Sequence, residues 1–228
     1  MAEAQRTDRK IVARDALLVA LTVSSGAVDA ISFLCLGGTF SAFMTGNLVF
    51  LGLRLVNPAP PKLLPVLVAL IVFAAGSYVG ALLTKTKGLG LWPRAVSIAL
   101  LVAAGCQFLF LLLWVAVSGH PGTLALNVLL ALSAFAMGIQ TAAVRSLQVP
   151  GIFTTAATFT LVALMGDLAG TRSVPEMLRV AGVLLGLVVG AALGAILLIR
   201  WLVYAPLLPL AITLAVVGLG SASRLDAR

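Results

Sequence analysis

Hydrophobic residues in this chain neither alternate with polar ones nor fall on one stripe of a helix. They come in unbroken runs. Eight can be drawn: 15–36, 40–56, 63–84, 95–117, 123–144, 152–168, 177–199 and 202–219. A bilayer-crossing helix needs about 20 consecutive apolar residues, and six of the eight runs come close to that length or exceed it. The other two, 40–56 and 152–168, are shorter and richer in small and polar residues. The break Ser118-Gly119-His120-Pro121-Gly122 predicts a turn between the fourth and fifth runs. The first run extends through Leu36, so it reads as a retained span and not as a cleaved signal.

Composition agrees with the runs. Of 228 residues, 61% are hydrophobic and 10% charged, whereas a soluble domain carries about 25% charge. The pattern predicts an all-α polytopic membrane protein; a β-barrel would show short alternating segments. The net charge of +8 is spread in small groups between apolar runs, not gathered into the clustered basic face of a nucleic-acid binder. One histidine and two cysteines, Cys35 and Cys106, predict neither a disulfide framework nor a zinc site, and no cofactor is implied. No nucleophile–base pair or phosphate loop is visible, so an enzyme is not expected.

The halves of the chain resemble each other. Pro61, Leu64, Val66, Leu70, Gly76, Gly80, Ala81 and Leu83 recur 114 positions later as Pro175, Leu178, Val180, Leu184, Gly190, Gly194, Ala195 and Leu197. Phe40, Thr45, Leu48, Val49 and Leu51 recur 113 positions later as Phe153, Thr158, Leu161, Val162 and Leu164. This divides the chain into a cytoplasmic tail (1–14), one transmembrane domain (15–223) made of repeats 15–117 and 123–219, and a second tail (224–228). If the two short runs only dip into the membrane, each repeat has three spans and the repeats are inverted. If all eight runs span, the repeats are parallel. Basic residues concentrate on the cytoplasmic side. Six spans put 12 of the 15 Lys and Arg inside, leaving Arg54, Lys62 and Arg200 outside; eight spans give 10 and 5. Six spans plus two short or re-entrant segments are favoured, with eight spans as the alternative. Inverted repeats with paired interrupted segments are a transporter pattern.

Few polar residues sit inside the runs. Asp29 is the fifteenth residue of the 22-residue run 15–36. An acid at that depth must be protonated, paired or facing a wet cavity. Two roles fit it: a proton- or cation-coupling acid, or a protonated acid that hydrogen-bonds a neighbouring helix. Ser41, Thr45 and Asn47 lie in the second run, and Thr154, Thr155, Thr158 and Thr160 in the sixth. Gly37-Gly38 and Pro150-Gly151 precede them as helix breakers. A helix starting within the membrane would aim free N–H groups at a polar or anionic solute. Alternatively, these hydroxyls bond back to their own helices and both segments span. Gln140 is either a ligand contact or interhelical glue.

Gly182, Gly186, Gly190 and Gly194 recur every fourth residue, as do Gly76 and Gly80. Such ladders predict close helix packing, within the chain or between copies of a homo-oligomer. Trp92, Trp114 and Trp201 fall at run ends, where interfacial anchors belong.

The stretch Gly26-Ala27-Val28-Asp29-Ala30, followed by Gly37-Gly38-Thr39-Phe40 and Met44-Thr45-Gly46-Asn47, resembles the first signature of the YoaK-like family of bacterial inner-membrane proteins of unknown function. Gly138-Ile139-Gln140-Thr141-Ala142, Arg145, Pro150, Thr154-Thr155 and Thr158-Phe159-Thr160-Leu161 are similar to its second. The family commonly has Asn after the Gln, where this chain has Thr141. The resemblance implies a cytoplasmic-membrane location and about six spans, and no activity. The expected function is that of a small secondary transporter or permease of a small polar or anionic solute, proton- or cation-coupled, with the bilayer as its surroundings. The alternative is a non-transporting assembly or sensor protein.

Overall fold

A computed structural model of the chain describes residues 2–57, 61–85, 90–149, 157–166 and 174–222. Among them are eight α-helices and no strand: α1 (Ala2–Cys35), α2 (Met44–Val56), α3 (Leu63–Leu83), α4 (Arg94–Ala116), α5 (Thr123–Ser146), α6 (Ala157–Gly166), α7 (Val174–Trp201) and α8 (Leu207–Ala222). A 3₁₀ turn, Leu202–Tyr204, joins α7 to α8.

Each hydrophobic run contains one helix, with two boundaries displaced. The polar stretch set apart as a tail is helical from Ala2 and continuous with α1; Ala, Glu, Gln, Arg and Lys are good helix formers whatever their polarity. The last run is divided differently. Helix α7 continues to Trp201, whose backbone (φ −145°, ψ 62°) leaves helical geometry, and α8 starts only at Leu207, after Pro206, which offers no N–H. The tail 224–228 lies outside the described residues. Among the described residues, five helical stretches are long and apolar enough to cross a membrane: Arg9–Cys35, Leu63–Leu83, Arg94–Ala116, Thr123–Ser146 and Met177–Tyr204. The 13 residues of α2 rise only ~20 Å at 1.5 Å each, short of a ~30 Å hydrocarbon core.

Contacts at the helix ends fix directions. Gly37, just past α1, faces Pro65 of α3 and Leu126 of α5. Chain leaving α1 through α2 therefore returns to the same end of the bundle. At the opposite end, Arg14, Thr84, Pro93, Val96 and Gln148 line one cavity of about 220 Å³. Arg179 Nη1 reaches Asp15 Oδ2 there at 3.4 Å, and Ser221 donates to Ser97 at 3.2 Å. Helices α1, α4 and α7 thus run one way, and α3, α5 and α8 the other.

Two parallel pairs form the tightest packing, α1 with α7 and α3 with α5. Both are glycine interlocks. A methyl group built on Gly76 would overlap Phe135 O, and one on Gly138 would overlap Phe73 O. Equivalent additions at Gly190 and Gly26 would overlap Val23 O and Leu187 O. Lipid removes the hydrophobic drive between helices, so close backbone approach supplies the dispersion contacts instead. Of the ladders, Gly76 and Gly80 face α5, and Gly182, Gly186, Gly190 and Gly194 face α1. Both glycine faces thus pack within the chain.

The tryptophans correct the anchor reading. Trp201 is exposed, but Trp92 and Trp114 are buried. Their indole N–H groups donate to Ser97 Oγ and Leu202 O, both at 3.0 Å. Each sits where a helix end meets another helix, so satisfying the indole inside the bundle wins over placing it in the interface. Leu101, Phe108, Leu112, Val188 and Ile199 are exposed, as lipid-facing positions should be.

Candidate membrane cavity around Asp29

After Cys35 the chain turns back on itself. Gly37 and Gly38 take φ of +86° and +73°, the left-handed region that glycine enters without steric cost. Residues 40–42 then run back along the last turns of α1. The Phe33 and Phe40 rings stack with centroids 4.9 Å apart, and the Ser32 and Ser41 hydroxyls hydrogen-bond. The loop thereby reaches Asp29, which lies six residues before the helix end and so ~9 Å below it.

Asp29 receives the loop through its backbone. The N–H groups of Ser41 and Ala42 donate to Asp29 Oδ1 at 2.9 and 2.7 Å. The N–H of Phe43, next along the loop, also bears on the carboxyl group. Asn47, one turn into α2, clamps the same loop. Its Oδ1 accepts from Phe40 N at 3.0 Å, and its Nδ2 donates to Phe40 O at 2.7 Å. Removing this clamp leaves both backbone groups of Phe40 without those partners. Asn47→Ala is expected to lower stability by ~1–2 kcal/mol, read as a reduced thermal midpoint in detergent; an unchanged midpoint would show that the clamp is dispensable.

An open cavity of about 540 Å³ lies beside this loop, between α1 and α7. Its α1 wall presents Ser25, Asp29 and Phe33 at four-residue intervals, on one helix face. Phe40 and Phe43 close it from the loop side, Thr158 enters from α6, and Leu187, Ala191 and Ala195 form the α7 wall.

The expected site residues thus separate. Asp29 and Thr158 line the cavity. Ser41 and Asn47 are buried supports of the loop. Thr45 is exposed on α2 and does not line the cavity. Gln140 is buried in α5 and donates to Leu21 O at 3.2 Å, acting as glue between α5 and α1. Thr154, Thr155, Pro150 and Gly151 lie outside the described residues. The N–H groups of Ser41 and Ala42, just before the start of α2, are engaged by Asp29 itself. No cluster of three or more His, Cys, Asp or Glu side chains occurs among the described residues.

A family model described as "protein of unknown function (DUF1275)" matches residues 17–219. The chain belongs to the DUF1275 family. The chain is also similar to the UPF0700 transmembrane protein YoaK of Bacillus subtilis (strain 168), 37% identical over 157 residues, which are 69% of this chain and 68% of that one. No solved structure matches the chain. The YoaK-like resemblance read from the two signatures therefore stands, and together with the long apolar helices it makes this DUF1275 member a multi-pass membrane protein in contact with the bilayer. Thr141, the departure in the second signature, back-bonds to Met137 O at 2.7 Å and does not line the Asp29 cavity. Ser25, Phe33 and Phe43 escaped sequence reasoning. The four-residue spacing of Ser25, Asp29 and Phe33 was the available signal, and it would have placed all three on one face.

Proposed function

We propose that this DUF1275 protein is a small secondary permease of the bacterial cytoplasmic membrane that carries its solute through the Asp29 cavity. The observation that carries this reading is an intramembrane carboxylate, held by a loop that turns back into the bundle, at the wall of an open cavity. An acid facing such a cavity marks a solute or ion pathway more readily than a packing contact. The reading assigns the chain no catalytic step.

Two inverted three-span repeats with α2 and α6 re-entrant belong to this proposal. Several features support them. Helix α3 lies on α5 as α7 lies on α1, and α2 lies on α3 as α6 lies on α7. The interlocking glycines Gly76 and Gly190 stand 114 positions apart. Helices α1, α3 and α4 run in alternating directions, and α5, α7 and α8 do so in the opposite sense. The N-terminus is placed in the cytoplasm, because Arg9, Lys10 and Arg14 precede the first span and Lys85, Arg94 and Arg145 fall at the same end.

Two measurements test the proposal. Lys62→Cys, in a chain whose Cys35 and Cys106 are replaced by alanine, should be labelled from outside the cell by an impermeant maleimide; labelling only after permeabilisation would overturn the inverted-repeat arrangement. In proteoliposomes, solute-driven flux should be abolished by Asp29→Asn. Wild-type flux in that variant would remove Asp29 from the pathway.

A further inference from the structure

The lining of the cavity has a chemistry of its own. Among the described residues that line it, Asp29 is the one acidic residue and there is no Lys, Arg or His. Asp29 Oδ1 accepts from the Ser41 and Ala42 N–H groups, and the Phe43 N–H also bears on the carboxyl group. One turn below, Ser25 is fully buried and its Oγ lacks a hydrogen-bond partner. A carboxyl group and an unpartnered hydroxyl oxygen thus stand on one helix face, and none of the described lining residues supplies a positive charge.

The rest of the lining selects what can supply that charge. Phe33, Phe40 and Phe43 bring three phenyl rings, with Phe43 edge-on to Phe40 at 5.3 Å. Aromatic faces attract cations. A bare divalent ion would need six or more oxygen ligands, and the walls beyond Asp29, Ser25 and Thr158 are apolar. A volume of about 540 Å³ lies in the range of small-molecule sites.

We propose that this cavity binds an amphipathic organic cation, an ammonium group on an aryl or alkyl body. The ammonium donates to the Asp29 carboxylate and Ser25 Oγ, and the body lies against the phenyl rings and the small residues of α7. The inference names the solute class of the permease reading and rests on it for the cation's fate.

The test uses the full chain in non-ionic detergent at neutral pH, with phenylbutylammonium and its neutral isostere phenylbutanol as probes in calorimetry. The ammonium should bind roughly tenfold tighter than the alcohol. Asp29→Asn, which retains an acceptor for the loop, should abolish the preference and leave alcohol binding unchanged. Phe33→Leu, at a half-exposed position, should weaken both probes severalfold without unfolding the protein. Equal binding of the two probes, as an apolar crevice for acyl chains would give, overturns the proposal. So does a preference that survives Asp29→Asn. A selective cation site with no amine uptake in proteoliposomes would leave the inference standing and remove the permease reading. Flux of another solute without cation preference would do the reverse.

Discussion

Gly190→Leu is expected to yield almost no folded protein, and Gly190→Ala to fall well below wild type in thermal stability. A Cβ at this position overlaps Val23 O and comes within 2.7 and 2.8 Å of Val23 C and Cα. These are backbone atoms of α1, so no side-chain rotation relieves the clash and α1 must move off α7. Overpacking costs ~1–3 kcal/mol and occasionally more. The loss is felt strongly in a membrane, where packing and not water exclusion holds helices together. For a chain of this size the alanine variant should melt ~5–10 °C lower. Gly76→Ala should behave alike, since its Cβ overlaps Phe135 O in the other pair. Gly105→Ala is the control: nothing lies within 4 Å of that Cβ, and alanine is the better helix former, so its midpoint should equal or exceed wild type. Thermal midpoints from size-exclusion profiles after heating decide the matter. Gly190→Ala and Gly105→Ala melting together would refute the interlock.

The features legible in the sequence are those on which the bilayer imposes a rule. Apolar length identifies α3, α4, α5 and α7, because a spanning helix must satisfy its own backbone within the hydrocarbon. Glycine spacing identifies the packing faces of α3 and α7, because backbone approach tolerates nothing larger. Asp29 stands out because charge at that depth is costly. Its partners do not stand out, because they are backbone N–H groups and every residue has one. Ser25 is one small polar residue among several in α1, and its importance comes only from facing the same cavity as Asp29. The stacking of Phe40 on Phe33 and Phe50 depends on how the Gly37-Gly38 turn directs the loop. Trp92 and Trp114 misled for the reverse reason: position at a run end says nothing about which neighbour covers the ring.

Replacing Asp29 by leucine should destabilise the protein far more than replacing it by asparagine. Leucine removes the acceptor for Ser41 and Ala42 N–H, and both residues are buried. An orphaned buried donor costs ~1–3 kcal/mol, so the two together approach the cost of the worst single-site losses. Asparagine keeps an oxygen at the position of Oδ1 and gives up only the capacity to ionise, and with it the stronger bonds that a charged acceptor makes. Hydrogen exchange at the Ser41 and Ala42 amides reads the difference directly. Both should be protected in wild type, slightly less so in Asp29→Asn, and open in Asp29→Leu. Equal protection in the two variants would mean that Asp29 does not hold the loop. The ordering also separates structure from function. If the loop stays closed in Asp29→Asn, loss of flux or of cation preference in that variant reports the missing charge, because the cavity wall it belongs to is still in place.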